Sequence, residues 1–294
     1  MRSAAHDYIR VDDVEHALAV LSAEGDGAKL LAGGQSLVPM MHLRLARPRL
    51  LVDIGRISGL RGVRIDGSRV AIGALTTHAD LEAGPVGEPA RSLLPVLGEA
   101  AAHIGHLPIR TRGTIGGSVA HADASAEWCL VARLLDATIV ARSSRGERRI
   151  PAAAFFHGFL ATALDPDEMV TGIEIDPPPG VSRFIEFTRS YGDFAIASAA
   201  VVLAAEGGVC THARVALGGV ASVPVRLEQL ETLLTGALLD EALIEDAAWQ
   251  VSTLIEPAST IYASAEYRRH LVGVLVKRAL LAARDDLKKE ARNG

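Results

Sequence analysis

The sequence predicts an α+β protein of two domains, and three observations carry the prediction. Short apolar runs alternate with helically spaced apolar residues through the first half. The run Pro177-Pro178-Pro179-Gly180 then interrupts the chain; its prolines donate no backbone hydrogen bonds and stiffen it. Beyond that run, strand-like stretches come first and helical stretches follow, the order of a sheet covered by helices. A length of 294 residues suits two domains. The expected division is 1–176, with subdomains at about 1–55 and 56–176, followed by 181–290.

Val14, Ala17, Leu18 and Leu21 recur at helical spacing, with Asp12 or Asp13 placed to cap the start and Gly25 to end it. Lys29–Leu31 and Leu50–Ile54 read as short buried strands, giving a small β-α-β-like unit. Val70–Ala74 reads as a strand and Leu93–Ile104 as a helix, with Pro95 near its start, where proline is tolerated. Ser125–Leu135 reads as a helix. Thr138–Arg142, Glu147–Ile150 and Met169–Ile175 read as strands, with a turn at Ser143-Ser144-Arg145-Gly146. After the prolines, Arg183–Thr188, Ser198–Ala204 and Val209–Leu217 read as antiparallel strands, with Gly207-Gly208 as a hairpin turn. Helices are expected at about 226–235, 240–255 and 264–290.

Composition excludes several function classes. Net charge is −5 and the basic residues are dispersed, so no nucleic-acid-binding stripe exists. The two cysteines, Cys129 and Cys210, form no CxxC, which argues against a disulfide scaffold or a cluster site in this chain. A reducing, cytoplasmic setting fits that usage. No apolar run reaches the roughly 20 residues of a membrane helix, and the first residues lack a signal-peptide core.

The chemistry concentrates in two glycine pairs. Ala32-Gly33-Gly34-Gln35-Ser36 directly follows the Lys29–Leu31 run. Thr114-Ile115-Gly116-Gly117-Ser118 precedes His121-Ala122-Asp123 and Glu127. Paired glycines let backbone approach a ligand and aim successive N–H groups into one concavity, which suits a phosphate or pyrophosphate. Two such turns suggest one extended, doubly charged ligand gripped from two sides. GxGxxG and GxxxxGK[ST] are both absent, so neither a Rossmann nor a P-loop site is expected. Gly34-Gln35-Ser36 does not continue to the glycine of a nucleophile elbow, because position 38 is Val.

Asp123 and Glu127 read either as carboxylates capping a helix start or as acceptors for ribose or ribityl hydroxyls. His103, His106 and His121 lack companion ligands at metal spacing, and no metal site is expected. Aromatic residues are only 4% of the chain, yet Phe184, Phe187, Tyr191 and Phe194 cluster around Arg189 and Gly192-Asp193. The first two read as core. Tyr191 and Phe194 flank a glycine in a loop, where a ring can stack on a flat cofactor. Arg189 can meet a phosphate or a polar ring edge.

These segments together resemble the flavoprotein (medium) subunits of molybdenum hydroxylases, the carbon monoxide dehydrogenase and xanthine dehydrogenase FAD-subunit family. The likeness runs through Leu30–Pro39, Arg110–Ser118 with His121-Ala122-Asp123 and Glu127, Arg189–Ala195, Leu217-Gly218-Gly219-Val220 and Ser264–Arg269. It differs in having Ala124 where relatives often have proline, Trp128 after Glu127, and Ser190 where many carry a second basic residue. The resemblance implies a PCMH-type, vanillyl-alcohol-oxidase-like FAD-binding domain of two α/β subdomains, and a C-terminal domain of antiparallel sheet and helices. It implies FAD as this chain's cofactor, with molybdopterin and [2Fe–2S] clusters only in partner subunits.

On that reading FAD contacts come from Ala32, Gly33, Gly34, Gln35, Ser36 and Leu37; from Thr114, Ile115, Gly116, Gly117 and Ser118; and from Asp123, Glu127, Arg189 and Phe194, with Tyr191 as the alternative ring contact. The partners implied are a large molybdopterin subunit and a small iron–sulfur subunit, in a dimer of heterotrimers. The place implied is the cytoplasm or the inner face of the membrane. No general acid or base is required of this chain. A free-standing FAD oxidoreductase of the same fold and a scaffold that has lost its cofactor are the competing readings. The substrate of the complex and its terminal electron acceptor stay open.

Overall fold

The structure, a computed structural model, describes residues 3–293. The first layer is a parallel sheet of β1 (Asp7–Arg10), β2 (Ala28–Leu31) and β3 (Leu50–Asp53), in the order β1-β3-β2. Helix α1 (Val14–Glu24) links β1 to β2. The Asp13 side chain caps it by accepting from the His16 amide at 2.7 Å, and it buries Val14, Ala17, Leu18 and Leu21 as its spacing predicts. Helix α2 (Leu37–His42) lies between β2 and β3. The three strands run the same way, so Arg10, Leu31 and Asp53 end them on one edge.

The second layer is antiparallel. Strands β4 (Val63–Asp66), β5 (Arg69–Gly73), β6 (Thr138–Ser143) and β7 (Gly146–Pro151) are joined by β10 (Met169–Ile175), in the order β4-β5-β10-β6-β7. A small ribbon of β8 (Phe156–Gly158) and β9 (Ala161–Thr162) precedes β10. Between β5 and β6 come α3 (His78–Glu82), α4 (Glu88–Leu93), α5 (Val96–His103), α6 (Leu107–Arg110), α7 (Ile115–His121) and α8 (Glu127–Leu134).

Three helical expectations shift here. The helix predicted over 93–104 is broken: α4 stops at Leu93, and α5 starts at Val96 with Pro95 as its N-cap. A proline disfavours helical backbone at the residue before it, and Leu94 is accordingly non-helical. The helix predicted from Ser125 begins at Glu127, because Asp123 holds the Ser125 amide in a turn at 2.9 Å. Thr114–Ser118 is not a loop: Thr114 caps α7 and both glycines lie inside it.

Asp176–Gly180 connects β10 to the C-terminal sheet. That sheet is antiparallel, in the order β11 (Val181–Thr188), β12 (Ala195–Glu206), β13 (Val209–Gly218), β14 (Val225–Arg226). Gly207 and Gly208 both take positive φ, 57° and 86°, in the hairpin between β12 and β13. Helices α9 (Glu228–Leu234), α10 (Glu241–Leu254) and α11 (Ala265–Asn293) follow.

Strand alternation gives this sheet two apolar faces. Phe184, Ala200, Val202 and Ala216 join the core built on α5, α8 and the second sheet. Val201, Leu203, Val215 and Leu217 pack instead with α10 and α11 residues such as Val251, Val272 and Leu275. β12 is therefore buried continuously from Ala195 to Leu203, the mark of a strand covered on both sides.

Candidate functional site

The first glycine segment turns the chain from β2 into α2. Gly34 has φ of 72°, a left-handed conformation that favours glycine. Gly33 is glycine for another reason: a Cβ there would overlap the Arg112 carbonyl. The turn is closed by Val38 N–H donating to the Gly34 carbonyl at 3.1 Å and by Gln35 Nε2 donating to the Gly33 carbonyl at 2.8 Å. Among the described residues, the amides of Gly33, Gly34, Gln35, Ser36 and Leu37 find no acceptor within the protein. Unsatisfied N–H groups leading into a helix are an anion-binding arrangement.

Of these residues, Gly33, Gly34 and Gln35 line a cleft of about 760 Å³. It lies at the C-terminal edge of the parallel sheet, where ligands of such sheets bind. Arg10, His42, Asp53, Arg56 and Arg112 line it together with the glycine turn. Asp53 is the one carboxylate in that lining, and it is engaged. Its Oδ2 accepts from Arg10 Nε at 2.9 Å and from the Tyr8 hydroxyl, and its Oδ1 accepts from the Gly55 amide at 2.9 Å. Burial pushes the Asp53 carboxyl up, but the bonds from Tyr8, Gly55 and Arg10 outweigh burial and hold it below the usual value. The cleft is thus positive with open donors, the chemistry a diphosphate requires.

The second glycine segment is built differently. Ile115 N–H donates to Thr76 O at 3.0 Å, Gly116 N–H to Ala74 O at 2.9 Å, and Ser118 N–H to Thr114 O at 3.0 Å. Gly117 N–H donates to Thr114 Oγ1 at 3.1 Å. The amides from Ile115 to Ser118 are already used, and the segment is not the open concavity the glycine pair suggests. Gly116 is needed for packing, since a Cβ would run into Ala74. Behind the segment, Trp128 Nε1 donates to His78 Nδ1 at 2.8 Å, and His78 N–H donates to Gly113 O at 3.0 Å. Burial, then the Arg110 charge, pushes His78 down to about 3, so the ring is neutral and free to accept from Trp128. The unusual Trp128 is accounted for by that bond.

The two segments meet. Gly33 lies against the backbone of Arg112 and Gly113, and Gly117, exposed on α7, faces Ala32. Asp123 and Glu127 follow at the α7–α8 turn. Asp123 Oδ1 accepts from the Ser125 amide and, at 2.7 Å, from its hydroxyl, so one oxygen is committed to the turn. Half-buried Glu127 sits in the first turn of α8. Burial raises it to about 7, and the Asp123 charge adds to the rise.

The 189–194 loop is moored to the same half. Tyr191 packs against the His106 ring at 5.4 Å between centroids, and its hydroxyl lies 3.4 Å from Arg110 Nη1. Arg110 is itself held by Glu82 at 2.7 Å. Arg189 pairs with Asp193 at 3.5 Å and stacks over Tyr262 at 5.0 Å. Tyr191 is 66% and Phe194 78% exposed, but only Tyr191 is tethered, which leaves the Phe194 ring free. His103, His106 and His121 do not converge: His103 packs on Phe184, and His106 on Tyr191.

Sequence reasoning missed Arg10, Asp53 and Arg56 as cleft residues. A signal existed for Asp53 alone, which ends a strand expected from the sequence, at the edge where such sheets bind ligands.

Residues 3–178 match the family described as FAD binding domain in molybdopterin dehydrogenase, and residues 182–283 match CO dehydrogenase flavoprotein C-terminal domain. The chain is 41% identical over 286 residues to the 6-hydroxypseudooxynicotine dehydrogenase complex subunit alpha of Paenarthrobacter nicotinovorans, covering 96% of each. It is 37% identical to the carbon monoxide dehydrogenase medium chain of Hydrogenophaga pseudoflava, covering 94% of this chain and 96% of that one. Among solved structures, quinoline 2-oxidoreductase of Pseudomonas putida 86 superposes with a TM-score of 0.93 at 33% identity, covering 98% of this chain and 99% of that one. Carbon monoxide dehydrogenase of Hydrogenophaga pseudoflava superposes at 0.91 and 38% identity, covering 96% and 98%. With two adjoining domain matches, full-length likeness and a donor-rich cleft of the right chemistry, the chain belongs to the FAD-binding flavoprotein family of the molybdopterin dehydrogenases.

Proposed function

We propose that this chain is the FAD-carrying electron-transfer subunit of a molybdenum hydroxylase complex. In that role it takes electrons from the [2Fe–2S] clusters of a small subunit and delivers them to an external acceptor, while a large molybdopterin subunit oxidises the substrate. Bound FAD supplies the redox chemistry; the protein binds, orients and tunes it. The observation that carries the reading is the run of open amides at Gly33–Leu37, whose first three residues line a positive cleft. The residues present therefore fit the cofactor.

On this reading the Gly33–Leu37 amides, with Gln35 and Ser36 beside them, hold the diphosphate. Ala32 and the exposed face of Gly117, with the Thr114 and Ser118 hydroxyls, shape its other side, and Ile115 and Gly116 set that wall in place. Asp123 and Glu127 accept from hydroxyls of the ribityl or ribose part. Phe194 packs on the isoalloxazine, and Arg189 stands near its polar edge. The FAD-binding half is 1–176, with subdomains meeting near residue 55, and 181–290 covers the flavin end. We place the complex in the cytoplasm; among the described residues no helix is long and apolar enough to cross a membrane.

The test is purification of the chain with and without its genomic neighbours' products. A yellow protein with one FAD per chain, co-eluting with a molybdopterin subunit and an iron–sulfur subunit, is expected. Substrate oxidation by the isolated chain would instead mean a free-standing oxidoreductase. A colourless chain that FAD does not reconstitute would mean a scaffold.

A further inference from the structure

Two stretches of the C-terminal half, Leu217–Val220 and Ser264–Arg269, belong to the sequence likeness but line no part of the cleft. They meet at one side chain. Arg268 lies in the first turn of α11 and is only 8% exposed. Its Nη1 donates to the Ile196 carbonyl and, at 2.6 Å, to the Gly219 carbonyl. Its Nη2 donates to the Thr260 hydroxyl at 3.0 Å. No carboxylate among the described residues offsets its burial, which lowers the guanidinium from its ordinary value.

This is a costly place for a cation. The buried charge has no counterion, Nε has no partner, and the start of a helix carries the positive end of its dipole. Stability alone would favour an apolar side chain of similar size. What the arginine supplies is reach: a planar fork of donors that meets acceptors on separate segments at once.

Each acceptor sits on a segment that leads to the 189–194 loop. Ile196 is two residues beyond Phe194, where that loop returns to the sheet as β12. Gly219 turns the chain out of β13 with φ of 74°. A Cβ there would crowd the carbonyls of Ile196 and Ala195, so the turn lies directly on the strand that follows Phe194. The Gly219 amide donates to the Ala124 carbonyl at 2.9 Å, which joins the same turn to Asp123–Glu127. Thr260 belongs to the segment between α10 and α11. Its hydroxyl also accepts from the amides of Tyr262 and Ala263, at 3.3 and 3.4 Å, and Tyr262 is the ring over which Arg189 stacks. The loop therefore has its far end fixed at Ile196, and its Arg189 side chain is laid on a segment that the same guanidinium holds. Phe194 itself is largely exposed, so its placement comes from those anchors.

We propose that Arg268 is a positioning residue for the cofactor: it clamps the start of β12, the Gly219 turn and the 257–263 segment together, and so fixes where the 189–194 loop presents Phe194. The cofactor half of this proposal rests on the reading that Phe194 packs on the isoalloxazine; the clamp does not. Arg268 is buried behind the loop and acts through Phe194.

Amide hydrogen exchange of the cofactor-free full chain tests the clamp. Arg268→Met removes the donors and should raise exchange roughly tenfold or more at 195–198, 218–221 and 259–263, the loss of at least one charge-assisted bond. Exchange in α1 and in the second sheet should keep its wild-type rate, which separates release of the clamp from general loosening. Arg268→Lys keeps the charge and the stem, but its single ammonium does not span three separated acceptors. It should give a smaller rise at the same places, and it decides the matter alone where Arg268→Met does not fold. Exchange that stays level, that rises at one of the three segments only, or that rises throughout the chain overturns the clamp.

The flavin midpoint potential tests the positioning role. Arg268→Lys should shift it in the direction that Phe194→Ala does. Adding Arg268→Lys to Phe194→Ala should shift it no further, because the ring through which Arg268 acts is gone. Faster exchange at the three segments with a wild-type potential overturns the role toward the cofactor and leaves FAD binding standing. A shift that adds in full to that of Phe194→Ala overturns it as well, since Arg268 then acts by another route. A wild-type chain that binds no FAD overturns the functional reading and the positioning role together, and exchange then decides the clamp alone.

Discussion

The two glycine pairs read alike in the sequence and are used in opposite ways. Gly33-Gly34 leaves a run of amides open toward a basic cleft, and its backbone is held by few bonds of its own. Gly116-Gly117 lies inside a capped helix whose amides are all engaged, against residues 74–76 or within the cap. The first offers donors; the second is the wall it leans on. Glycine serves close approach in both: in the first the approaching partner is the Arg112 backbone, and in the second it is Ala74. A glycine pair therefore signals proximity, and only the fate of its N–H groups says to what.

Substitutions should separate the two roles. Gly33→Val should have the largest effect: its side chain collides with the Arg112 carbonyl, and FAD retention should disappear, read as flavin per chain after gel filtration. Stoichiometric FAD in that variant would break the comparison at its root. Gly116→Ala should act first on the fold, destabilising by about 1–3 kcal/mol through overpacking against Ala74, measured by denaturant unfolding without FAD. If it instead left stability intact and removed FAD, the second segment would be a ligand surface after all. Thr114→Ala should cost about 1 kcal/mol by removing the bond to the Gly117 amide, with FAD affinity falling only in proportion. Phe194→Ala should change stability least, within about 0.5 kcal/mol, because the ring is exposed. It should nevertheless shift the flavin potential, and an unchanged potential would remove Phe194 as the ring contact.

Much of the scaffold was legible. Asp13 and Gly25 bound α1 as their chemistry predicts, and Gly207-Gly208 makes the hairpin its dipeptide announces. The helices between β5 and β6 were harder. Helix α7 carries two glycines in a short stretch, so propensity argues against a helix that tertiary contacts to Ala74 and Thr76 impose. The break at Leu94-Pro95 was visible as a proline but was read as tolerated within one helix. Strand β1, Asp7–Arg10, has an almost wholly exposed pattern and gave no apolar signal. Of the candidate site, the first glycine turn and the exposed Phe194 were within reach of the sequence. The cleft residues Arg10 and Arg56 were not, because nothing local distinguishes them from other surface arginines.

The sequence by itself determined where the chain can turn, which faces of its strands and helices are apolar, and where backbone can approach a partner closely. Those properties belong to neighbours in the chain: periodicity, capping side chains and the missing Cβ of glycine. Only the tertiary structure decided which amides are spent and which are open, which arginines share a cleft, and that the side chains of Glu186 and Ser198 are buried without hydrogen-bond partners. Hydrogen-bond acceptors such as Ala74 O, and charges such as Glu127, reach their partners across the fold, and their effects depend on distance and burial rather than on position in the chain.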